Sequence, residues 1–249
     1  MEKSTTISPL MGHNAGLAVT TLNDDNNTLA ARVGHLLREQ IITGELASGE
    51  PLRFDGLRKR YGISVTPLRE ALSILMSEGL VVQSGQRGFR VAPMTFAEFE
   101  EVSALRIELE GDALLRSVRH GDEDWEVRVL AAQHRLSRAS AKVLRSSQGI
   151  DQVWEDRHRE LHLELLSSCQ SPWRLKFCLQ LHNQFDRYRR LAGVIPWVSQ
   201  AIIRTEEDEI VRAALDRDAA LARNLLARHI ERSVEEIGNA LKREALLSS

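Results

Sequence analysis

Two stretches of this 249-residue sequence carry side chains whose types and spacing could do chemistry. In the first, His158 and His162 stand four residues apart. On a helix that spacing separates them by about 40°, so both imidazoles can meet one metal ion. Leu161 and Leu165 flank the pair and turn its face inward. A metalloprotease would need H-E-x-x-H, with the glutamate directly after the first histidine as general base. Here the glutamate is Glu160, which falls on another side of the helix. The sequence also has no G-x-S-x-G elbow, phosphate loop or Rossmann fingerprint, so it is read as a binding protein and not as an enzyme.

The second stretch runs from Arg53 to Val91. Thr66, Arg69 and Ser73 recur at i, i+3 and i+7, away from an apolar stripe of Leu68, Leu72 and Leu75. Such a helix is buried on one face and offers hydroxyls and a guanidinium on the other. Thr66 is expected to cap it and Pro67 to take its first position, leaving free backbone N–H groups and the positive end of the dipole as a phosphate seat. Arg53, Ser64 and the run Arg58-Lys59-Arg60 lie just before this helix, and Arg87 and Gly88 just after it, at a basic hairpin tip.

The elements that must hold these groups follow from the same residues. Gly62 ends a short helix, and Ile63-Ser64 complete a turn of helix-turn-helix length. Val82, Phe89 and Val91 alternate with polar neighbours around Ser84 to Gly88, which is hairpin chemistry. A helix-turn-helix followed by such a hairpin is a winged helix. Upstream, Thr28 caps a helix with Leu29, Val33, Leu36, Leu37 and Ile41 on one face, stopped at Gly44, and Ala47 to Pro51 read as a loop. Residues 1–27 have no hydrophobic period and read as a disordered tail. Beyond Pro93, Thr95-Phe96-Ala97-Glu98 is a capping box, and residues 95–245 show only helical periods, broken at Gly121-Asp122, Ser146 to Gly149, Ser171-Pro172 and Gly193 to Pro196, enough for six or seven helices in one bundle. The fold class is mainly α: a winged helix-turn-helix over 28–93, then an all-helical domain.

Charge divides along the same line. Residues 28–93 hold nine Lys/Arg against six Asp/Glu, whereas residues 94–249 hold 23 against 26. A net of three positive charges makes a weak footprint on a phosphate backbone, which a homodimer on a pseudo-palindromic site would double. No run of about 18 apolar residues and no signal-like N-terminus is present, so a cytoplasmic protein without membrane contact is expected. Cys169 and Cys178, each in an apolar helical pattern, read as reduced core thiols.

The blocks TPLREAL, SEGLV and RGFRVA, in this order and spacing, resemble the DNA-binding domain of the GntR family of bacterial transcription regulators. Where that family has an arginine this sequence has Val65, and a basic residue expected near Asp55 is missing, so two of the family's DNA contacts are absent. The second region resembles the FCD ligand-binding domain of the family's FadR-like branch. Arg106-x-x-Leu109-Glu110, HRELH, SPW, DRYRRL and DRDAALARNLLARHI carry that resemblance, in a version similar to regulators of carbon starvation and glutarate metabolism. The resemblance implies Arg53, Ser64, Thr66, Arg69, Ser73, Arg87 and Gly88 as the DNA-facing set. It also implies a divalent metal site on His158, His162, Glu207 and His229. The carboxylate and one histidine of the family's ligand set have exchanged places here, so three imidazoles and one carboxylate remain. That donor set suits zinc first, with nickel or manganese as alternatives. Arg106, with Arg187 and Arg189 behind it, is implied as the grip on a small hydroxy- or dicarboxylic acid effector of the glutarate type, since a guanidinium fork matches a carboxylate. His182, Trp154, Trp173 and Phe185 read as core. The function implied is a metabolite-responsive repressor released from its operator by that acid, with a metal-dependent enzyme or a protein-binding scaffold as alternatives.

Overall fold

The computed structural model describes residues 28–85, 88–143, 152–193 and 197–243. The tail over 1–27, the wing-tip residue Arg87 and the break expected at 146–149 lie outside them. The chain divides into two compact units, one of residues 28–41 and 49–92, the other of 42–48 and everything after Ala92.

The first unit is the winged helix. Its elements are α1 (Leu29–Ile42), α2 (Phe54–Tyr61), α3 (Val65–Ser77), β1 (Val81–Ser84) and β2 (Gly88–Val91). Val33, Leu37 and Ile41 of α1 and Leu68, Leu72 and Leu75 of α3 are buried at helical spacing, so these apolar positions form core faces; Leu29, read on the same α1 face, is 41% exposed at the helix start, and Leu36 is half-buried. Thr28 Oγ1 accepts from the Ala31 amide at 3.2 Å, capping α1. Gly62 ends α2 in the left-handed conformation, with φ 67°, a region that favours glycine. α3 begins earlier than expected: Ser64 is the N-cap and Val65 the first helical residue, which puts Thr66 and Pro67 inside the first turn. Proline is tolerated there because the first four N–H groups of a helix have no internal partner. β1 and β2 pair antiparallel, Val81 with Val91 through Ser84 with Gly88. The expected loop ending at Pro51 is partly sheet-like. Leu52 N donates to Phe89 O at 2.8 Å and Val91 N to Glu50 O at 2.9 Å, so residues 50–52 line the outer edge of β2.

The second unit is all-helical among its described residues: α4 (Phe96–His120), α5 (Glu123–Val143), α6 (Gln152–Leu166), α7 (Pro172–Leu191), α8 (Trp197–Leu215) and α9 (Ala219–Arg243). Thr95 Oγ1 accepts from Glu98 N at 3.1 Å, so the cap expected there forms, and Ser171 Oγ accepts from Arg174 N at 3.4 Å with Pro172 in the first turn, a further cap. α4 packs on α7 and α9, α5 on α6, and α8 on α9. One apolar cluster, centred on Leu114, Trp125, Leu161, Ala214 and Leu226, ties α4, α5, α6, α8 and α9 together. A second, around Phe99, Phe185, Tyr188 and Ile237, joins α4, α7 and α9. Both cysteines are buried and free, as expected. Trp173 is not core: it is 68% exposed, on a face of α7 that it shares with exposed Phe177, while Leu175 of the same turn packs inward.

Candidate nucleic-acid interface and metal centre

On α3, Thr66, Arg69 and Ser73 are exposed, as are Ser64 at its N-cap and Arg53 ahead of α2. The Arg69 guanidinium sits 4.9 Å above the Phe54 ring, and Phe54 meets Phe89 of the wing edge-on at 5.9 Å. The aromatic pair thus connects the helix-turn-helix to the hairpin. Ser73 Oγ donates to Arg69 O at 2.9 Å and keeps its lone pairs outward. Gly88 fits where no other residue would: a Cβ there would lie 2.6 Å from the Ser84 carbonyl oxygen. Arg90 Nη2 donates to Ser84 Oγ at 2.8 Å, placing a second arginine on the described part of the wing.

In the helical unit, α6 carries His158 and His162, α8 carries Glu207 and α9 carries His229. One ligating atom from each lies within 4.8 Å of all the others. All four side chains are buried, His158 the least at 9% exposed. Trp154, one turn before His158, stacks on its imidazole with ring centres 5.0 Å apart. His158 and His162 lie 4.6 Å apart by ring centre, and His162 and His229 5.3 Å. His229 Nδ1 bonds to Glu206 Oε2 at 2.9 Å, and Arg232 Nη2 donates to the same oxygen at 2.5 Å. That outer pair fixes the ring and leaves Nε2 for an ion.

The electrostatics ask for a cation. Burial, then the neighbouring Asp208 and Glu206 carboxylates, push the Glu207 carboxyl up to about 8. Burial, then the other imidazoles, hold His158 and His162 well below the usual histidine value. His158 Nε2 lies 3.3 Å from Glu207 Oε1. His158 Nδ1, His162 Nδ1 and Glu207 Oε1 have no hydrogen-bond partner although they are buried. Buried polar atoms are seldom left so, and a divalent ion would satisfy this set by supplying the charge that burial denies Glu207. Three imidazole nitrogens and a carboxylate fit such an ion.

Beside the cluster is a cavity of about 40 Å³, lined by Arg106 of α4, by Trp154 and the two histidines of α6, by His182, Phe185, Asp186 and Arg189 of α7, and by His229 to Ile237 of α9. By that measure it holds about three waters. Arg106 is at the wall as expected, but part of its fork is committed: Nε and Nη2 donate to Glu110 at 2.6 and 3.2 Å, with the guanidinium 4.3 Å above the Phe185 ring. Arg189 also lines the cavity, paired with Glu155 and, at 2.7 Å, with Asp186. Arg187 does not line it; one helical step from Asp186, its Nη1 donates to Gln184 Oε1 at 2.7 Å. Three residues read as core are buried and line the wall as well: Trp154, Phe185 and His182. His182, Asp186 and Arg189 recur at i, i+4 and i+7 on α7, a buried polar stripe between apolar Cys178, Phe185 and Tyr188. That ionisable stripe is the sequence signal that could have found His182.

Known proteins agree with this architecture. Residues 29–91 match the family model for bacterial regulatory proteins of the gntR family, and residues 101–232 match that of the FCD domain. Over 202 residues, 81% of the chain and 82% of the relative, the chain is 39% identical to an HTH-type transcriptional regulator, BphR, of Paraburkholderia xenovorans. Over 213 residues, 82% of the chain and 94% of the relative, it is 32% identical to the HTH-type transcriptional repressor GlaR of Escherichia coli. The solved structure of E. coli McbR superposes with a TM-score of 0.73 at 21% identity, covering 85% of this chain and 97% of that one, which supports the fold.

Proposed function

This chain belongs to the GntR family of bacterial regulatory proteins and is a transcriptional regulator with a C-terminal FCD effector-binding domain, and from that premise we propose that it is a repressor released from its operator by a small hydroxy- or dicarboxylic acid bound at a divalent metal ion. The observation that carries this reading is the convergence of four buried ligating groups, three of them the histidines on the wall of a cavity that two arginines also line. His158, His162, Glu207 and His229 would hold the ion, zinc first by donor type, with nickel or manganese as alternatives. When bound, it supplies positive charge and open positions for an acid's oxygens. Arg189 lies on the same wall, and Arg106 keeps Nη1 uncommitted to Glu110. The repressor sign is supported by the GlaR relative, which is named a repressor.

On the DNA side, α3 would enter the major groove with Thr66, Arg69 and Ser73, while Arg53, Ser64, Arg87 and Gly88 meet backbone and wing contacts. A homodimer on a pseudo-palindromic operator doubles the modest charge footprint. Such a protein acts in the cytoplasm; among the described residues no helix is long and apolar enough to cross a membrane. The deciding experiment is an operator titration by gel shift on the gene's own upstream region, with zinc-loaded protein, with and without glutarate, succinate and malate. Release by at least one acid, and only with metal present, is expected. Operator affinity indifferent to every acid would sink the sensing mechanism.

A further inference from the structure

Resting on the reading of the cavity as an acid site beside a metal, we propose that His182 is its specificity-determining donor: the Nε2–H of His182 hydrogen-bonds an oxygen of the bound acid. The assignment begins with burial. His182 is 1% exposed, lines the cavity, and has its ring centre 5.8 Å from that of His162. It is outside the set of four converging ligand atoms.

Its tautomer follows from its neighbours. His182 Nδ1 lies 3.3 Å from Arg106 Nη2. A guanidinium has donors and no acceptor, so this contact requires a lone pair on Nδ1. An imidazole with a bare Nδ1 is neutral and has one ring proton, which then resides on Nε2. Glu110 Oε1 does not compete for Nδ1: it is 3.8 Å away and already accepts from Arg106 Nε at 2.6 Å.

Nε2 is left without a partner. Asp186 Oδ2, one turn along α7, is 3.8 Å from it, beyond hydrogen-bond range, and accepts from Arg159 at 2.5 Å instead. An oriented, buried N–H with no acceptor is a rare arrangement, and here the cavity is the space it borders. The partner it fits is an acceptor oxygen, a carboxylate or hydroxyl of the acid. A metal is excluded from that nitrogen while the proton is on it.

The test uses the full-length protein loaded with Co(II), whose absorption spectrum reports the metal, and calorimetric titration with glutarate and malate. His182→Phe keeps a flat ring and removes the donor; His182→Gln returns an amide N–H near the same place. Both variants are expected to bind Co(II) with the wild-type spectrum. The Phe variant should bind the acid that wild type binds about 10- to 100-fold more weakly, as loss of a hydrogen bond to a charged acceptor implies, and the Gln variant should recover most of that loss. Wild-type acid affinity in the Phe variant overturns this proposal alone. So does a changed Co(II) spectrum, which would make His182 a ligand. If Co(II)-loaded wild type binds neither acid, the acid-site reading falls and the proposal with it. Nitrogen-15 spectra of the unsubstituted protein need no variant: His182 protonated at Nε2 and bare at Nδ1 is expected, and the reverse tautomer overturns the proposal.

Discussion

Arg69 and Cys178 are two residues whose surroundings give opposite predictions for function and stability. Arg69 is exposed and its one packing contact is the face of Phe54, so Arg69→Ala should cost only about 0.5–1 kcal/mol of stability. In a gel shift on the operator it should lose specific binding, a base contact being worth about 1–3 kcal/mol. Unchanged affinity would refute α3 as the reading helix. Cys178 touches no ligand, yet burial, with the Glu110 carboxylate next, pushes its thiol from 9.0 up to about 12. The folded chain therefore disfavours the thiolate. Its contribution to stability is whole below pH 9 and is lost as pH rises from 9 towards 12. Urea unfolding across that range should show a fall that Cys178→Ala lacks, and the native thiol should resist thiol reagents at neutral pH. At this scale the sequence was legible where chemistry depends on local spacing: His158 and His162 sit on one face because four residues is one turn. It was opaque where a role depends on partners from other helices. His182 looked like a core position because its spacing is that of the apolar stripe, and only the approach of Arg106 from α4 shows it as a wall residue with a fixed tautomer.

Among the elements, the wing is constrained at a single atom. A Cβ at position 88 would meet the Ser84 carbonyl at 2.6 Å, so Gly88→Ala must open the hairpin at its closing pair. We expect about 1–3 kcal/mol of destabilisation, read by denaturation, and weaker operator binding, while metal uptake by the helical unit is unchanged. A Gly88→Ala protein of wild-type stability would show that the hairpin closes otherwise. Helix and strand identities could be read ahead of the structure because hydrophobic period and caps agree, as at Thr28, Gly62 and Thr95. The misreadings have local causes. Pro67 drew the start of α3 two residues late, since proline is tolerated throughout a first turn and not only at its first position. Residues 50–52 read as loop because their partner β2 is some 40 residues on, and Pro51 has no N–H with which to extend a ladder.

For the whole molecule the question is how one site speaks to the other. An effector shifts DNA binding only by its different affinity for the DNA-bound and free states, so removing the ion that binds it should uncouple the two without silencing either domain. His162→Ala with His229→Ala should lose the metal by elemental analysis and lose release by acid, while operator affinity without acid stays within a fewfold of wild type. A double variant that still lets go of DNA on adding acid would make the metal structural or absent, with the arginines alone sensing. The winged unit has its own buried residues and ends at Ala92, whereas the four ligating groups are spread from His158 to His229 on three helices. Protein chains grow from the N-terminus at about 5–20 residues per second, so the ribosome completes the winged unit roughly 7–30 s before it has made His229. A newly made chain therefore holds a formed DNA-reading module before any sensor exists. On the proposed function the metal ion is then among the last parts to enter, and each regulator is blind to its effector at birth and responsive on completion.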